Sequence, residues 1–296
     1  MKQPKFVSGP PGTGKTHIYL IDKYKELLKK YSAEKIIMLS HTNVAADELK
    51  DAILKLPEMI ERGLRKKFFK YKICTIHAFC KSKLLKKELI TYADYLNLCA
   101  ENSGFKAQRV TQSEFDNDKH KFFKFLSDSF GQGRTIREHW NSLRETSSNY
   151  YPYNNFRMIY EMKEVYDNYK KVNQVCDYND MIKDFIDHAV VPDIDVLIVD
   201  EAQDSNVPQI KALEKMSTNV KEYYMVGDAD QTIFEFAGAN ADYFHKLSKD
   251  AEQLEDGLRC GETINKLCKE IIRPIWDHSE YERIWKPAKN VIGTHY

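Results

Sequence analysis

The sequence has no apolar run approaching the roughly 18 residues needed to cross a bilayer, which excludes a membrane-spanning helix and a membrane partner. It has almost no net charge: 45 basic residues stand against 44 acidic ones, a formal +1. Bulk electrostatics therefore points to no polyanionic partner, and only local clustering can. None of the six cysteines (Cys74, Cys80, Cys99, Cys176, Cys260, Cys268) forms a C-x-x-C pair, which argues against a structural zinc or cluster site. With no secretory leader pattern at the start, they predict reduced, mostly buried thiols in a cytoplasmic protein. Internal repeats and low-complexity linkers are missing too. What remains is a chain of 296 residues, 42% hydrophobic, long enough for one large domain or two.

The most informative stretch is Lys5-Phe6-Val7-Ser8-Gly9-Pro10-Pro11-Gly12-Thr13-Gly14-Lys15-Thr16. Two apolar residues enter a glycine-rich turn ending in Gly-Lys-Thr. A helical stripe of Leu20, Tyr24, Leu27, Leu28 and Tyr31 follows. Strand, G-x-x-x-x-G-K-T and helix is the context of a phosphate-binding loop. Glycines there let backbone N–H groups converge on an anion, and the helix start adds partial positive charge. Gly9, Pro11, Gly12, Thr13 and Gly14 form the cradle. Lys15 would reach the β- and γ-phosphates and the Thr16 hydroxyl would hold Mg²⁺. A plain strand-to-helix turn is the simpler alternative.

Further apolar runs are followed at once by chemically capable residues. Lys35–Leu39 reads as a buried strand leading to Ser40-His41-Thr42-Asn43 and a helix. Thr42 and Asn43 suit a helix cap, a role compatible with holding a phosphate. Tyr71–Cys74 is a short strand candidate before Thr75-Ile76-His77. Asp177–Asp180 reads as a helix start, the helix reaching about His188. Asp195–Val199 is the clearest strand and ends in Asp200-Glu201-Ala202-Gln203-Asp204. Glu222–Val226 ends in Gly227-Asp228-Ala229-Asp230-Gln231, and a short strand near Gln253-Leu254 precedes Leu258-Arg259. Ligands bind outside the carboxyl ends of strands in an open parallel sheet. One such sheet would set Lys15, Thr42, His77, Asp200, Glu201 and Gln231 along a single edge. Asp200 then suits the acid that holds Mg²⁺, Glu201 the general base that polarises the attacking water, and Gln231 a residue that senses the γ-phosphate or orients that water.

Between Arg62 and Lys87 ten basic residues run without an Asp or Glu, interleaved with Phe68, Phe69, Tyr71 and Phe79. The pattern fits a nucleic-acid backbone or a solvated helix face. Residues 89–175 are polar and helical in period with no strong strand, an all-helical insertion dividing a domain formed by 1–88 and 176–296. Its tyrosines (Tyr150, Tyr151, Tyr153, Tyr160, Tyr166, Tyr169) could stack on bases but more commonly pack helices together.

In this order, Gly9–Thr16, Ser40–Asn43 with Ala45-Ala46-Asp47-Glu48, Thr75-Ile76-His77, Asp177–Asp180, Asp200–Asp204, Gly227–Gln231 and Arg259 resemble the UvrD/Rep-like superfamily 1 DNA helicases. The resemblance covers the chain except the helical insertion. It implies an α/β RecA-like P-loop NTPase domain with a parallel central sheet. It implies ATP and Mg²⁺ surrounded by Lys15, Thr16, Asp200, Glu201, Gln231 and Arg259, the last as an arginine finger on the γ-phosphate. It further implies ATP-driven movement on single-stranded DNA, with RNA left open, and His41, Thr42, Asn43, Thr75, His77 and Phe236 near the strand. Some positions depart from the family: Leu258 replaces the base-stacking tyrosine, Phe236-Ala237 replaces Trp-Arg, and Gln3 lies closer to the loop than the adenine-reading glutamine. Too few residues follow Arg259 for another α/β domain of ordinary size. The second RecA-like domain of the motor is therefore expected in a longer chain or a partner. The alternatives are a non-catalytic, ATP-gated nucleic-acid-binding module and another P-loop ATPase, such as a clamp loader.

Overall fold

The structure, a computed structural model, describes residues 2–84, 87–117, 120–146, 155–233, 235, 238–279 and 284–289. Its centre is a six-stranded sheet. The strands are β1 (Lys5–Ser8), β2 (Ile36–Ser40), β3 (Ile73–Thr75), β6 (Val196–Val199), β7 (Glu222–Gly227) and β8 (Glu252–Gln253), in the order β3-β2-β6-β7-β1-β8. Every pairing is parallel. The Val-Leu-Ile-Val run of β6 is buried along its whole length, as a strand covered on both faces must be.

Successive side chains of a strand face opposite ways, so the sheet feeds two cores. Leu39, Leu197, Val199 and Met225 point to one face. There they meet α4 (Ile76–Ser82), α11 (Tyr178–His188), α12 (Val207–Met216) and α13 (Ala241–Lys249) through Phe79, Phe185, Leu213 and Phe244. Met38, Val196, Ile198 and Val226 point to the other face. They meet α1 (Leu20–Leu28), α2 (Asn43–Leu54) and α3 (Pro57–Glu61) through Leu20, Tyr24, Leu27, Leu49 and Met59. The result is an α/β RecA-like three-layer arrangement, with helix α14 (Glu262–Ser279) following at the carboxyl-terminal side of the chain.

Residues 92–173 build a separate cluster from α5 (Tyr92–Glu101), α6 (Ser103–Ala107), α7 (Gln112–Asp116), α8 (Lys121–Gly131), α9 (Ile136–Thr146) and α10 (Phe156–Asn173). Their core is aromatic: Tyr95, Phe105, Phe122, Phe125 and Tyr166 are buried together. Two strands that the sequence did not reveal bracket these helices. β4 (Glu88–Leu89) pairs in parallel with β5 (Val175–Cys176), bringing the two ends of the helical stretch side by side. Two residues are too short to display the alternation by which strands are recognised. Tyr166 and Tyr169 are buried and Tyr160 is about half exposed, whereas Tyr150, Tyr151 and Tyr153 lie outside the described residues. No helix among the described residues is long and apolar enough to cross a membrane.

Candidate nucleotide and nucleic-acid site

The six strands end on one edge, and the loop Gly9–Thr16 leaves β1, which lies between β7 and the outer strand β8. Gly12 and Gly14 sit at φ 75° and 81°, the left-handed region that glycine enters without a Cβ penalty. The first helical turn, Lys15–Tyr19, is a π-turn, with the N–H groups of Ile18 and Tyr19 both donating to the Gly14 carbonyl at 2.9 and 3.0 Å. Lys15 is buried, and its ammonium donates to the carbonyl of Gly9 at 2.6 Å. The Thr13 hydroxyl donates to the Pro10 carbonyl at 2.8 Å.

The Thr16 hydroxyl lies 3.3 and 3.5 Å from the two carboxylate oxygens of Asp200, at the tip of β6. Asp200 is 1% exposed. Burial, reinforced by the neighbouring Glu201 carboxylate, pushes it up to about 7. A buried carboxylate held this way is relieved by a cation, and a hydroxyl beside a carboxylate is a hard-oxygen pair of the kind Mg²⁺ accepts. Among the described residues no group of three or more His, Cys, Asp or Glu forms a protein-only metal cage. That matches the habit of Mg²⁺, which takes one or two protein ligands and fills the rest with phosphate and water. The residues present therefore fit Mg·nucleotide.

Glu201 is one of two described non-glycine residues with positive φ (49°). Such a conformation costs roughly 1–3 kcal/mol and persists where neighbours enforce it. The enforcing neighbour is Gln203. Its Nε2 donates to Glu201 Oε2 at 2.9 Å, while its Oε1 accepts from the Asp228 N–H at 3.1 Å. Gly227 makes room for this bridge, because a Cβ there would stand 2.2 Å from Gln203 Oε1. Gln231 in turn donates through Nε2 to Asp228 Oδ2. The tips of β6 and β7 are thus one hydrogen-bonded unit carrying Asp200, Glu201 and Gln231. Gln203 and Asp228 were not singled out from the sequence; both lie inside the two motif strings, which was the available signal. Asp204, half-buried nearby with Oδ1 unpartnered, is raised to about 6 by burial and then by Glu201.

Arg259 reaches the same place from β8. The Leu258 N–H donates to the Gly12 carbonyl at 2.8 Å, and the Arg259 side-chain carbons stand 3.1–3.6 Å from where a Gly12 Cβ would sit. A cleft of about 290 Å³ opens beside the loop, lined by Thr13, Ile18, Tyr19 and Leu254. Gln3 is exposed.

The neighbouring strand tips hold the remaining residues. The Thr42 hydroxyl accepts from the Ala45 N–H at 3.2 Å and caps α2, leaving Thr42 and Asn43 exposed. Thr75 caps α4 in the same way through Ala78 N–H at 3.2 Å. Burial, then His41, lowers His77 to about 4, and burial also lowers His41 against the pull of Glu201, so both imidazoles are neutral near pH 7. His77 meets the exposed ring of Tyr178 edge-on at 5.5 Å, an aromatic at this edge that the sequence did not single out. Phe236 lies outside the described residues.

The basic run is divided by the fold. Arg62, Arg65, Lys66, Lys67 and Lys70 are exposed on the segment entering the amino end of β3, away from the strand tips. Lys66 pairs there with Asp51 at 3.1 Å, Lys72 stacks over Phe68 at 4.3 Å, and Lys87 pairs with Asp184 at 3.2 Å.

A family profile described as UvrD/REP helicase N-terminal domain matches residues 1–252. The ATP-dependent DNA helicase Rep of Buchnera aphidicola subsp. Baizongia pistaciae is 26% identical over 275 residues, covering 86% of this chain and 38% of that protein. A probable DNA helicase II homolog of Mycoplasma pneumoniae is 25% identical over 295 residues, 90% of this chain and 39% of the relative. The ATP-dependent DNA helicase PcrA of Staphylococcus aureus is 22% identical over 320 residues, 99% of this chain and 41% of the relative. The chain thus spans about two fifths of the length of the curated relatives it matches.

Proposed function

The chain belongs to the UvrD/REP helicase family, through its N-terminal domain, and from that premise we propose that it is the ATP-binding, strand-gripping half of a DNA-translocating motor. Residues 1–88 and 176–296 form the RecA-like motor domain and 89–175 its helical inserted subdomain. A second RecA-like domain, in a longer chain or a partner, completes the machine.

One observation carries this reading. Thr16 and Asp200, separated by 184 positions in sequence, bring a phosphate-loop hydroxyl and a buried carboxylate within 3.3 Å beside Lys15. Lys15, with the loop N–H groups of Gly12 and Gly14, binds the β- and γ-phosphates, while Gly9, Pro11 and Thr13 shape the cradle around them. Thr16 and Asp200 hold Mg²⁺, which when bound draws charge from the phosphate oxygens. Glu201, aimed by its left-handed backbone and by Gln203, accepts a proton from the attacking water. Gln231 orients that water or senses the γ-phosphate, and Arg259, packed on Gly12, offers charge to the phosphoryl oxygens. His41, Thr42, Asn43, Thr75 and His77 line the path of a single strand. Cleft opening and closing during turnover moves that strand and separates duplex in the full-length protein.

The test is ATP turnover by the 296-residue chain with and without oligodeoxythymidylate. The expected result is nucleotide and single-strand binding with slow turnover. A DNA-stimulated rate above about 10 s⁻¹, a typical enzyme value, contradicts the need for a second domain. No nucleotide binding contradicts the reading as a whole. A non-catalytic, ATP-gated module is the second reading. It requires that Glu201→Gln leave the DNA function of the full protein intact. Family membership favours a helicase over another P-loop ATPase.

A further inference from the structure

Where the helical segment rejoins the sheet, one ammonium is surrounded by carboxylates. Lys170, near the end of α10, donates through Nζ to Asp177 Oδ2 at 2.8 Å and to Asp180 Oδ1 at 3.1 Å, with Asp167 at 3.6 Å. Its side chain is 11% exposed and lies over the Tyr166 ring, 4.4 Å from the centroid. The Tyr166 hydroxyl donates to the same Asp177 oxygen at 3.0 Å. Asp177 and Asp180 are also the reciprocal cap that starts α11: Asp180 N–H donates to Asp177 Oδ1 at 2.8 Å, and Asp177 N–H to Asp180 Oδ2 at 3.0 Å. One cation therefore ties α10 of the helical segment to the first turn of α11. The residue after Asp177 is Tyr178, whose ring stands against His77 at the strand-tip edge.

Packing alone does not hold this junction. A cleft of about 260 Å³ lies against Asp177 and Asn179 on the side of Phe115 and Phe123. Another, of about 500 Å³, lies against the same two residues on the side of Arg134 and Lys163. With clefts on both flanks, the polar clasp and the short β4–β5 pairing bridge the junction between the helical segment and α11. Burial would raise Asp177, but Lys170 and the hydrogen bonds outweigh it and hold that carboxyl below its ordinary value. Asp180 is raised by burial and by Asp177.

We infer that Lys170 is a positioning residue for single-strand binding: by clasping Asp177 and Asp180 it fixes the first turn of α11 and with it the Tyr178–His77 edge. The inference rests on the reading that this edge grips a nucleic-acid strand. It assigns Lys170 a job in DNA affinity that nucleotide binding at Lys15 does not share.

The experiment compares Lys170→Met, Lys170→Arg and Tyr166→Phe in the full chain. It measures oligodeoxythymidylate affinity by anisotropy at two salt concentrations, Mg·nucleotide affinity, and thermal unfolding. Lys170→Met should weaken the strand about tenfold at low salt, with nucleotide affinity kept within about twofold. The fold-deficit should persist at the higher salt, because what is lost is the placement of Tyr178 and His77 and not a surface charge. Lys170→Arg, still able to bridge two carboxylates, should restore affinity to within about threefold. Because Lys170→Met leaves buried acids uncompensated and can unfold the chain, Tyr166→Phe provides the milder arm. It removes one hydrogen bond and should weaken the strand about two- to fivefold. A folded Lys170→Met with wild-type strand affinity overturns the inference. So does a loss of strand affinity matched by an equal loss of nucleotide affinity, or, where Lys170→Met unfolds, a Tyr166→Phe chain with unchanged strand affinity. A wild-type chain that binds nucleotide but no single strand defeats the reading of the edge itself, a distinguishable outcome.

Discussion

The strand-tip edge and the helical segment bury polar groups in opposite ways. At the edge, Lys15, Asp200, Gln203 and Asp228 are all buried, and each is held by a neighbour across the loop or between strands. In the helical segment the core is a set of aromatic rings, and the buried polar side chain at its centre, His120, has neither ring nitrogen hydrogen-bonded. It lies 4.7 Å from the Phe123 ring and 5.2 Å from that of Tyr95. Polarity at the edge includes charged groups, Lys15 and Asp200, that suit the proposed ligand charge; polarity in the helical core is tolerated by a group that stays neutral. Substitutions should separate the two regions: edge variants lose chemistry with modest changes in stability, and helical-core variants lose stability with chemistry spared.

The largest expected separation comes from Glu201→Gln, which removes the proposed proton acceptor while keeping shape. ATP turnover should fall roughly 10²–10⁴-fold with nucleotide affinity retained. Turnover within a factor of three of wild type would remove Glu201 from the reaction. In the other region, Phe105→Ala opens a cavity in a fully buried ring cluster and should cost about 3–5 kcal/mol in denaturant unfolding. Nucleotide affinity of the folded fraction should not change, and a parallel loss would mean that the two regions are not separable.

Gly227→Ala sits between these extremes. A Cβ placed 2.2 Å from Gln203 Oε1 must push that amide off Glu201. It should cost about 1–3 kcal/mol of stability and lower turnover more than nucleotide affinity. A smaller effect concerns pH. Burial lowers His120 to about 4, below the ordinary value near 6.5 that it regains on unfolding. Its neutral form is the one the fold accepts, so this contribution is complete above pH 6.5. It is lost as pH falls from 6.5 toward 4, when the unfolded chain binds the proton first. His120→Phe should flatten the acid slope of unfolding over that window and add about 1–2 kcal/mol at pH 5 relative to wild type. An unchanged slope would assign the acid sensitivity elsewhere. The smallest effect is Thr75→Ala, which removes the α4 cap and should cost about 0.5–2 kcal/mol.

The same contrast explains what the sequence made legible. These central strands are short apolar runs whose next residues are chemically capable, so presence on the edge could be read after Val7, Leu39, Cys74, Val199 and Val226 without knowing strand order. Lys15 and Asp200 lie on the edge as that reading expects, and Arg259, which only the family resemblance implied, stands against Gly12. Gln203 and Asp228 escaped notice because their role is a contact across two strands, and no spacing within one motif encodes it. The basic run from Arg62 left two readings open, and the fold divides it, since the turn into β3 sets Arg62, Arg65, Lys66, Lys67 and Lys70 before the amino end of that strand. In the helical segment periodicity revealed helices but not partners, because aromatic packing among α5, α8 and α10 is a property of tertiary contacts. The β4–β5 pair is too short to leave a pattern at all.

The central claim is that one edge binds nucleotide and strand through different residues. It is tested most directly by titrating a fluorescent Mg·nucleotide and an oligodeoxythymidylate separately into wild type, Lys15→Ala and His77→Ala. The account predicts that wild type binds both, that Lys15→Ala loses the nucleotide while keeping the strand, and that His77→Ala does the reverse. A folded Lys15→Ala chain with unchanged nucleotide affinity, or a His77→Ala chain with unchanged strand affinity, would contradict it.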